Sequence, residues 1–292
     1  MIAADENAQT FEAHRAALIG LAYRMLGSRA EAEDVVQDAY LRWHDADRAA
    51  VEQPRNYLGT VVTRLCLDRM KSARARREVY VGPWLPEPIV DETLDAEAAG
   101  DLAHDLSVAL MLLLERLSPL ERASFLLHDV FGLDFAEVAR VLDRGEAACR
   151  QLAARARAHI EDGRPRFAAS SEEGRRLAAA FMRAAQSGDT AMLAEILAHD
   201  AILYPDGGGK RTAPLNPIYG ADNILRFFAG IAQKNAALLS AQWRAATVNG
   251  LAGHVIREQD GTMNTMAFAP RDGRIAAIYL MRNPDKLGHV RF

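Results

Sequence analysis

Arginine and glutamine side chains line one side of a segment that the sequence predicts to be a helix, residues 146–160. When such a helix enters the major groove of DNA, arginine can form two hydrogen bonds with guanine, and glutamine can do the same with adenine. The other side is apolar, with Cys149, Ala153 and Ile160 at helical spacing. We therefore expect base or phosphate contacts from four residues: Arg150, Gln151, Arg155 and Arg157.

The elements that would position this helix are typical of a helix-turn-helix. Ser118-Pro119-Leu120-Glu121 combines an N-cap, a proline in the first turn and a capping-box glutamate, which together start a helix. Asp134 starts a second helix, 135–142, and the glycine-containing turn 143–145 leads into the arginine-bearing helix. Helix-turn-helix pairs also occur in proteins that bind no DNA, so this pattern alone leaves that alternative open.

Charge is distributed unevenly along the 292 residues. The formal net charge of −4 argues against a nucleic-acid partner, but basic residues cluster in 55–77 and in 140–166. Between them, the segment 87–105 carries acids and no lysine or arginine. Local basic patches, not the total charge, determine affinity for phosphates, so two separate nucleic-acid contacts are compatible with this sequence. Without other evidence, these basic clusters are more typical of solvent-exposed helix faces than of nucleic-acid contacts.

The composition is that of a globular protein with a core, because 50% of the residues are hydrophobic and 25% are charged. The longest apolar stretches, such as Val108–Leu114, are too short to span a bilayer. Met1–Thr10 has no apolar run, so we expect no signal peptide, no membrane partner and a cytoplasmic location. Cys66 and Cys149 lie in helical patterns and are expected to be buried apolar residues. No metal site and no cofactor are expected.

Hydrophobic periodicity divides the chain into modules. Helices are predicted at 11–26, 29–44 and 54–77, and again within 101–162. The proline-rich run 82–88 interrupts them, because each proline removes an amide donor. After residue 171, helices and short strands alternate with Asn-Gly and Asp-Gly turns, which predicts an α+β domain with a curved antiparallel sheet. Its expected elements are helices at 172–185, 190–198 and 221–234, the run 201–204 followed by a loop at 205–217, and strands at 238–248, 253–258, 263–269 and 275–281.

Three strings of the helix-turn-helix resemble region 4 of extracytoplasmic-function sigma factors, which reads the −35 promoter element in that family: Ser118–Arg122, Phe135–Ala139 and Arg150–Arg157. The resemblance therefore implies that Arg150, Gln151, Arg155 and Arg157 contact −35 DNA. Upstream, Ala32–Ala39 resembles the region 2 helix that docks on the β′ coiled coil of RNA polymerase. Asp34 and Gln37 would then face the polymerase, together with Asp38, which lies one helical turn from Asp34.

The string Asn56–Arg69 resembles the part of region 2 that opens and captures −10 DNA. In this role, basic side chains follow the backbone and a pocket accepts an extruded base. Tyr57 and Arg64 stand where many relatives have tryptophan and asparagine, which bears on −10 sequence specificity. The implied −10 contacts are Asn56, Arg64, Arg69, Lys71, Arg74 and Arg76, the last four at phosphates.

The resemblance continues into the SigJ-type subgroup of this family through Trp84–Pro88, Asp206–Lys210 and Asn283–Leu287. It implies a multidomain fold in which two all-α sigma domains (a region 2 helical bundle and a region 4 helix-turn-helix) precede an α+β SnoaL/NTF2-like cone domain that regulates activity in cis. The expected ranges are region 2 at 8–77, a linker at 78–103, region 4 at 104–166 and the regulatory domain at 171–292.

The glycine run of the second motif is not a phosphate-binding P-loop, because Arg211 stands where serine or threonine would bind magnesium. Glycines there permit backbone conformations and close approaches that other residues prevent. We hypothesise that this loop and the C-terminal tail pack against region 2 or the proline-rich linker. The regulatory interface would comprise Trp84, Pro86, Asp206, Gly207, Gly208, Gly209, Lys210, Asn283, Pro284, Asp285, Lys286 and Leu287.

Two other classes of function stay open. The C-terminal fold hosts enzymes in other proteins, but fold alone does not imply activity, and its candidate acids and bases form no recognisable catalytic set: His199, Asp200, Tyr204, Asp206 and His254. A ligand sensor fused to a DNA-binding module is the preferred form of that alternative. A repressor would need one helix-turn-helix and a symmetric dimer. We expect a sigma factor and not an enzyme, monomeric when free, whose partners are core RNA polymerase, promoter DNA and, as a further candidate, a small molecule in the C-terminal domain.

Overall fold

The computed structural model describes residues 2–47, 51–77, 80–91, 107–163, 171–234 and 241–292. The chain forms two compact units. The first, which we call the helical unit, comprises Met1–Val79 and Leu110–Arg164. The second, which we call the C-terminal unit, comprises Tyr80–Ala109 and Pro165–Phe292. Both parts that resemble sigma regions therefore belong to one unit, and the proline-rich segment belongs to the other.

The first half of the helical unit is a bundle of α1 (Ile2–Leu26), α2 (Arg29–His44) and α3 (Pro54–Arg77). Its core is fully buried and is built from Leu18, Leu21, Met25, Val35, Val36, Leu58 and Val62. The Ser28 side chain accepts a hydrogen bond from the Glu31 amide and caps α2, as its sequence predicts. The first helix begins nine residues earlier than its apolar stripe, because alanine, glutamate and glutamine before Phe11 favour helix without contributing to the stripe.

The second half of the helical unit contains α4 (Val108–Glu115), α5 (Pro119–Phe125), α6 (Phe135–Leu142) and α7 (Glu146–Gly163). Both predicted capping boxes are present, Ser118 with Glu121 and Asp134 with Glu137. A single π-helical turn, Leu126–Val130, continues α5. The turn between α6 and α7 places Asp143 in the left-handed region, with φ of 53°. Each capping box joins residues only three apart, so both could be predicted from the sequence.

The helices of the C-terminal unit are α8 (Ser171–Ser187), α9 (Thr190–Ile196) and α10 (Ala221–Lys234). Its strands are β1 (Val90–Asp91), β2 (Leu197–Asp206), β3 (Ile218–Tyr219), β4 (Gln242–Val248), β5 (Leu251–Arg257), β6 (Met263–Arg271) and β7 (Arg274–Met281). Within the described ranges they form a seven-stranded sheet in the order β1-β4-β5-β6-β7-β2-β3. A short 3₁₀ helix, Pro284–Lys286, follows the last strand.

The predicted all-antiparallel sheet is wrong in one pairing, because β2 runs parallel to β7. The two strands are joined by the rest of the domain, and periodicity within a strand carries no information about such a distant neighbour. The second strand also begins at Leu197, inside the range predicted to be helix 190–198. The core lies between the helices and the inner face of the sheet. There the centre of the Phe181 ring lies 5.1 Å from that of Phe228 and 5.0 Å from that of Phe268.

Candidate nucleic-acid interfaces and the linker clamp

The helix α7 presents the predicted base-reading side chains to solvent, while Cys149, Ala153, Ala156 and Ile160 are buried beneath it. The Ser124 hydroxyl donates a hydrogen bond of 2.9 Å to the Cys149 carbonyl and fixes the start of the helix. The Cys149 thiol is fully buried, and this burial raises its pKa. Of the four predicted residues, Arg150, Gln151 and Arg155 are exposed and Arg157 is half-buried.

Three arginines of α7 are held by acids of the same module. Arg150 Nη2 lies 2.6 Å from Glu146 Oε2, and Arg155 Nε lies 2.8 Å from Glu121 Oε1. Arg157 binds Asp129 through two contacts, of 2.7 and 3.0 Å. Burial would raise the pKa of Glu121, but hydrogen bonds from Ser118 and Arg155 outweigh it and lower the pKa. These partners orient the guanidinium groups, and DNA phosphates or bases would have to compete with them.

The predicted polymerase-facing residues lie on the exposed side of α2, with Asp34 and Gln37 exposed and Asp38 half-buried. Arg69 of α3 joins the two acids: its Nη2 lies 2.9 Å from Asp38 Oδ2 and its Nη1 lies 3.6 Å from Asp34 Oδ2. Arg69 was predicted to contact DNA, yet the structure places it with the acidic set. Leu41, one turn beyond Asp38, is 55% exposed and was missed by sequence reasoning, although its helical spacing from Asp38 could have identified it.

Two of the predicted −10 residues of α3, Asn56 and Arg64, contact the helix-turn-helix. Asn56 Nδ2 donates to Glu137 Oε1 at 2.6 Å. Arg64 Nη2 donates to the Arg140 carbonyl at 3.0 Å and Arg64 Nε to the Val141 carbonyl at 3.3 Å. Carbonyls in the last turn of a helix carry a partial negative charge, so this end of α6 is a favourable site for a guanidinium group. Asn56 and Arg64 are therefore both hydrogen-bonded to the helix-turn-helix.

Phe131 and Arg122 complete this contact between the two halves of the helical unit. The Arg55 guanidinium lies 4.7 Å from the centre of the Phe131 ring. Gly59 faces the same ring so closely that a Cβ atom there would lie 2.6 Å from Phe131 Cε1. Arg122, which is buried, donates from Nη1 to the Met25 carbonyl at 2.6 Å and from Nη2 to Glu115 at 3.0 Å. Burial lowers the pKa of Arg122 to about 10.

The remaining basic candidates of α3 lie towards its C-terminal end. Lys71 is exposed and lies 2.8 Å from Asp68, one turn away. Arg74 and Arg76 belong to the last two turns of α3, and their side chains lie outside the described part of the structure. Lys71 is thus the exposed phosphate candidate whose placement is described, and Cys66, which precedes it, is fully buried in the bundle.

A buried carboxylate, Asp206, lies at the end of β2 and binds the proline-rich segment 80–91. Its Oδ1 accepts from the Tyr80 hydroxyl at 2.5 Å, and its Oδ2 accepts from the Leu85 amide at 2.9 Å and from Lys286 Nζ at 2.8 Å. Burial, with the hydrogen bond to Asp206, raises the pKa of the Tyr80 hydroxyl, which keeps it protonated as a donor. One side chain thus joins the linker to the C-terminal tail.

The tail makes further contacts with the same segment. Lys286 Nζ donates to the Leu85 carbonyl at 2.6 Å and lies 4.5 Å from the centre of the Trp84 ring. Asn283 Nδ2 donates to the Tyr80 hydroxyl at 2.9 Å. The His289 ring contacts the Pro88 carbonyl at 2.7 Å and Glu87 at 3.1 Å. We call this set the linker clamp: Asp206, Asn283, Lys286 and His289 on the domain, with Tyr80, Trp84, Leu85, Glu87 and Pro88 on the segment.

The end of the segment is part of the sheet. Val90 and Asp91 pair with Val248 and Thr247 as an antiparallel edge strand. The Asn249 amide donates to the Ile89 carbonyl at 2.8 Å, and Asn249 Oδ1 accepts from the Ile89 amide at 3.2 Å. Residues 80–91 were predicted to be a linker, and the structure makes them an integral part of the C-terminal unit. The acidic residues 92–106 lie outside the described residues.

The glycine loop supports the linker clamp by close packing. A Cβ atom on Gly208, whose φ is 58°, would lie 2.3 Å from Asn283 Nδ2. A Cβ on Gly207 would lie 2.4 Å from the Arg211 carbonyl, and one on Gly209 would lie 3.0 Å from Val81. Lys210 pairs with Asp285 of the tail at 2.6 Å. Of the other predicted residues, Pro86 and Leu287 are buried and Pro284 is exposed, so the three sequence motifs come together at one place.

A cavity of about 910 Å³ opens between α8, α10 and the sheet of the C-terminal unit. The five residues considered as catalytic candidates do not line it. His199 and Asp200 are exposed, Tyr204 stacks on Tyr279, and Asp206 belongs to the linker clamp. His254 lies on the inner face of the sheet and is buried. Among the described residues, no group of His, Cys, Asp and Glu side chains is arranged to hold a metal ion, and no helix has the length and apolar character to cross a bilayer.

Known proteins resemble the chain over both units. Family models described as Sigma-70 region 2 and Sigma-70, region 4 match residues 10–76 and 107–160. The ECF RNA polymerase sigma factor SigJ of Mycobacterium tuberculosis strain H37Rv is 40% identical over 291 residues, spanning 94% of this chain and 91% of that protein. The probable ECF RNA polymerase sigma factor SigI of strain CDC 1551 is 36% identical, spanning 98% and 97%.

A solved structure agrees with these matches. The crystal structure of Mycobacterium tuberculosis SigJ has a TM-score of 0.77 and 35% identity to this chain, covering 96% of this chain and 98% of that one. The predicted arrangement of helical sigma modules followed by an α+β domain is confirmed. The chain belongs to the extracytoplasmic-function family of RNA polymerase sigma factors.

Proposed function

We propose that this chain binds core RNA polymerase and directs transcription initiation at specific promoters, and that its C-terminal domain regulates it in cis. The observation that carries the proposal is the similarity to SigJ over nearly the whole of both chains, linker and C-terminal domain included. The proposal keeps region 2 at residues 8–77, region 4 at 104–166 and the regulatory domain at 171–292. The protein acts as a regulator rather than an enzyme, in the cytoplasm and as a monomer when free.

Contact with the polymerase is assigned to Asp34, Gln37 and Asp38. Arg69 positions the two acids, because its guanidinium lies between them. Exposed acids on a rigid helix suit a basic partner, since complementary charge speeds the encounter and fixes its orientation. Leu41, exposed on the same helix, supplies apolar contact area beside the charges.

Contact with promoter DNA is assigned to α3 and α7. Asn56, Arg64 and Lys71 act at the −10 element together with Arg74 and Arg76. Arg150, Gln151, Arg155 and Arg157 act at the −35 element. In the free protein Asn56 and Arg64 bind α6, so the helical unit must open before α3 can receive DNA. Polymerase, which would bind the exposed side of α2, supplies the binding energy for that opening.

Regulation is assigned to the linker clamp. The segment 80–91 lies in the only stretch of chain that connects region 2 to region 4, and the clamp holds it against the C-terminal domain. Twelve extended residues span about 40 Å. While residues 80–91 are clamped, the chain that connects region 2 to region 4 is shorter by this length. A shorter tether restricts the separation of the two modules, so the clamp restrains promoter binding. A small molecule in the cavity of the C-terminal domain is the proposed signal.

Two measurements test the proposal. Purified full-length protein should co-elute with core polymerase in the absence of DNA, and the mixture should produce discrete run-off transcripts from a library of genomic fragments. Arg150→Ala, with Gln151→Ala, should lose transcripts selectively by promoter, whereas Arg176→Ala, which replaces an exposed arginine of the C-terminal domain outside the cavity, should not. Binding to DNA without any association with core polymerase would identify a repressor instead. Asp206→Asn should raise transcription, and an unchanged level would contradict the regulatory part alone.

A further inference from the structure

The His289 ring of the linker clamp is bound at both of its nitrogens. Its Nε2 lies 2.7 Å from the Pro88 carbonyl, and its Nδ1 lies 3.1 Å from Glu87 Oε1. The contacted atoms belong to consecutive residues of the proline-rich segment, so one side chain of the tail holds the segment at two adjacent points. The buried neighbours Leu287 and Val290 fix the backbone on either side of the ring.

The two contacts together require a proton that a neutral histidine does not have. A carbonyl oxygen can only accept a hydrogen bond, so Nε2 must donate to Pro88. Neutral imidazole has one N–H, and its other nitrogen then presents a lone pair. Opposite an ionised Glu87, that lone pair would meet a second acceptor at 3.1 Å. Because imidazole is a stronger base than a carboxylate, the missing proton lies on Nδ1, and the pair consists of an imidazolium and a carboxylate.

The pair lies where its charges are felt. Glu87 is 7% exposed and the ring is half-buried, so water and salt screen their attraction little. The charged groups of the tail and of the strands beside it are bound to other partners: Lys286 to Asp206, Asp285 to Lys210, Arg291 to the Gly288 carbonyl, Arg244 to the Arg291 carbonyl and Arg257 to the Phe292 ring. The charge of the ring is therefore balanced by Glu87, and its loss places a lone pair against that carboxylate.

Histidine is the side chain whose charge ordinarily changes between about pH 5 and pH 8. The other contacts of the linker clamp need no such change. The Asp206 carboxylate accepts and the Lys286 ammonium group donates without an added proton. Burial raises the pKa of Tyr80, so its hydroxyl stays protonated as a donor throughout this range. Deprotonation of His289 therefore weakens the clamp at residues 87 and 88 while its other contacts are kept.

We propose that the linker clamp is a proton-dependent switch, which holds the segment 80–91 most tightly when His289 is protonated and loosens as rising pH removes the proton that faces Glu87. The effect on transcription rests on the proposed regulatory role of the clamp, under which activity rises with pH. The proton is a second input, separate from the small molecule proposed for the cavity.

Hydrogen exchange of the full-length protein, corrected for the intrinsic dependence of exchange on pH, tests the switch. The Leu85 and Ile89 amides lie on either side of Glu87 and are bound to Asp206 and Asn249, so they report how tightly the segment is held. We expect their protection factors to fall at least about fivefold between about pH 6 and pH 8.5, because a hydrogen bond to a charged group is worth that factor or more.

Nitrogen-15 NMR of the histidines tests the proton itself and needs no variant except to assign the signal. Both ring nitrogens of His289 should be protonated at the lower pH and only one at the higher pH. A His289 ring that carries a single proton at about pH 6 would overturn the proposal.

Glu87→Gln separates a proton-dependent contact from a merely structural one. The introduced amide nitrogen can donate to Nδ1 of a neutral ring while Nε2 still donates to Pro88, so both contacts form without the extra proton. The protection of the segment should then change less than about twofold over the same pH range. His199→Gln, which replaces an exposed histidine of β2, should keep the wild-type response. Urea unfolding establishes that each variant is folded, and a wild-type pH dependence in Glu87→Gln would show the proposal to be wrong.

Transcription distinguishes this inference from the proposed function. The ratio of wild-type to Glu87→Gln activity with core polymerase should rise several-fold between about pH 6.5 and pH 8, and taking the ratio cancels any effect of pH on the polymerase. If the protection factors fall with pH as expected while this ratio stays constant, the clamp responds to protons but does not regulate, and the regulatory part of the proposed function fails.

Discussion

The Lys286 ammonium group lies 2.8 Å from the carboxylate of Asp206, which is fully buried, and together they fix the proline-rich segment to the C-terminal domain. The lysine also reaches the Leu85 carbonyl, while the aspartate accepts from the Leu85 amide. Both backbone groups of one linker residue are therefore satisfied by one ion pair. A side chain at the end of a strand and one in the tail hold a segment that neither of them neighbours in sequence.

Replacement of Asp206 by asparagine tests this relationship. Asp206→Asn keeps the shape of the side chain but leaves Lys286 partly buried without its counter-charge, and removing one partner of such a pair should lower the free energy of unfolding by about 3 kcal/mol. The linker amides should then exchange faster with deuterium. Asp285→Asn is the matched control, because its pair with Lys210 is more than half exposed and should contribute less than about 1 kcal/mol. Equal effects of the two variants in urea unfolding would contradict the role assigned to Asp206.

Gly208 is expected to be intolerant of any side chain. In Gly208→Ala the left-handed backbone alone should cost about 1 kcal/mol, and the methyl group would in addition displace the Asn283 amide from Tyr80. Gly188→Ala shares the positive φ but meets nothing within 4 Å, so it isolates the backbone effect. Thermal unfolding should therefore show a larger loss for Gly208→Ala. An equal loss would mean that the close approach to Asn283 contributes nothing.

Gly59 reports on the contact between α3 and the helix-turn-helix. In Gly59→Ala the methyl group would lie 2.6 Å from the Phe131 ring and should push the two halves of the helical unit apart. Gly230→Ala introduces the same change in a helix where the space is open and should stabilise the protein by about 0.5–1 kcal/mol through helix propensity. We expect Gly59→Ala to forgo that gain and to bind single-stranded −10 DNA more tightly, as measured by fluorescence anisotropy. If Gly59→Ala stabilises the protein as much as Gly230→Ala and leaves the affinity for DNA unchanged, the contact between α3 and the helix-turn-helix does not restrict DNA binding.

Because His254 is buried, we expect the free energy of unfolding to fall in acid. Its pKa is about 4 in the folded protein and about 6.5 when unfolded, so between these values the unfolded chain binds more protons and stability falls as pH falls. The contribution is present above about pH 6.5 and is lost towards pH 4; between pH 7 and pH 5 it amounts to about 2 kcal/mol. Urea unfolding of wild type and His254→Phe at both pH values should differ by that amount in their pH dependence. Identical pH dependence in the two proteins would show that His254 does not titrate in this way.

The helix boundaries of the helix-turn-helix and the amphipathic character of α7 could be predicted from the sequence because their causes are local. The capping boxes at Ser118 and Asp134 join residues three apart, and the split of α7 into a buried side and an arginine side follows from helical periodicity alone. The three motifs of the linker, glycine loop and tail could also be recognised as strings.

The contact between the linker, the glycine loop and the tail could not be derived from residue spacing. Tyr80 and Asn283 are 203 residues apart, and no periodic pattern relates them. The same limit applies to the parallel pairing of β2 with β7, to the position of Arg69 beside the acids of α2, and to the engagement of Asn56 by Glu137. The sequence by itself therefore predicted which residues contact DNA and polymerase, and it determined the helices that carry them. Only the tertiary structure decided that Asn56 and Arg64 are occupied and that the linker is held, because those contacts depend on which distant surfaces are buried together.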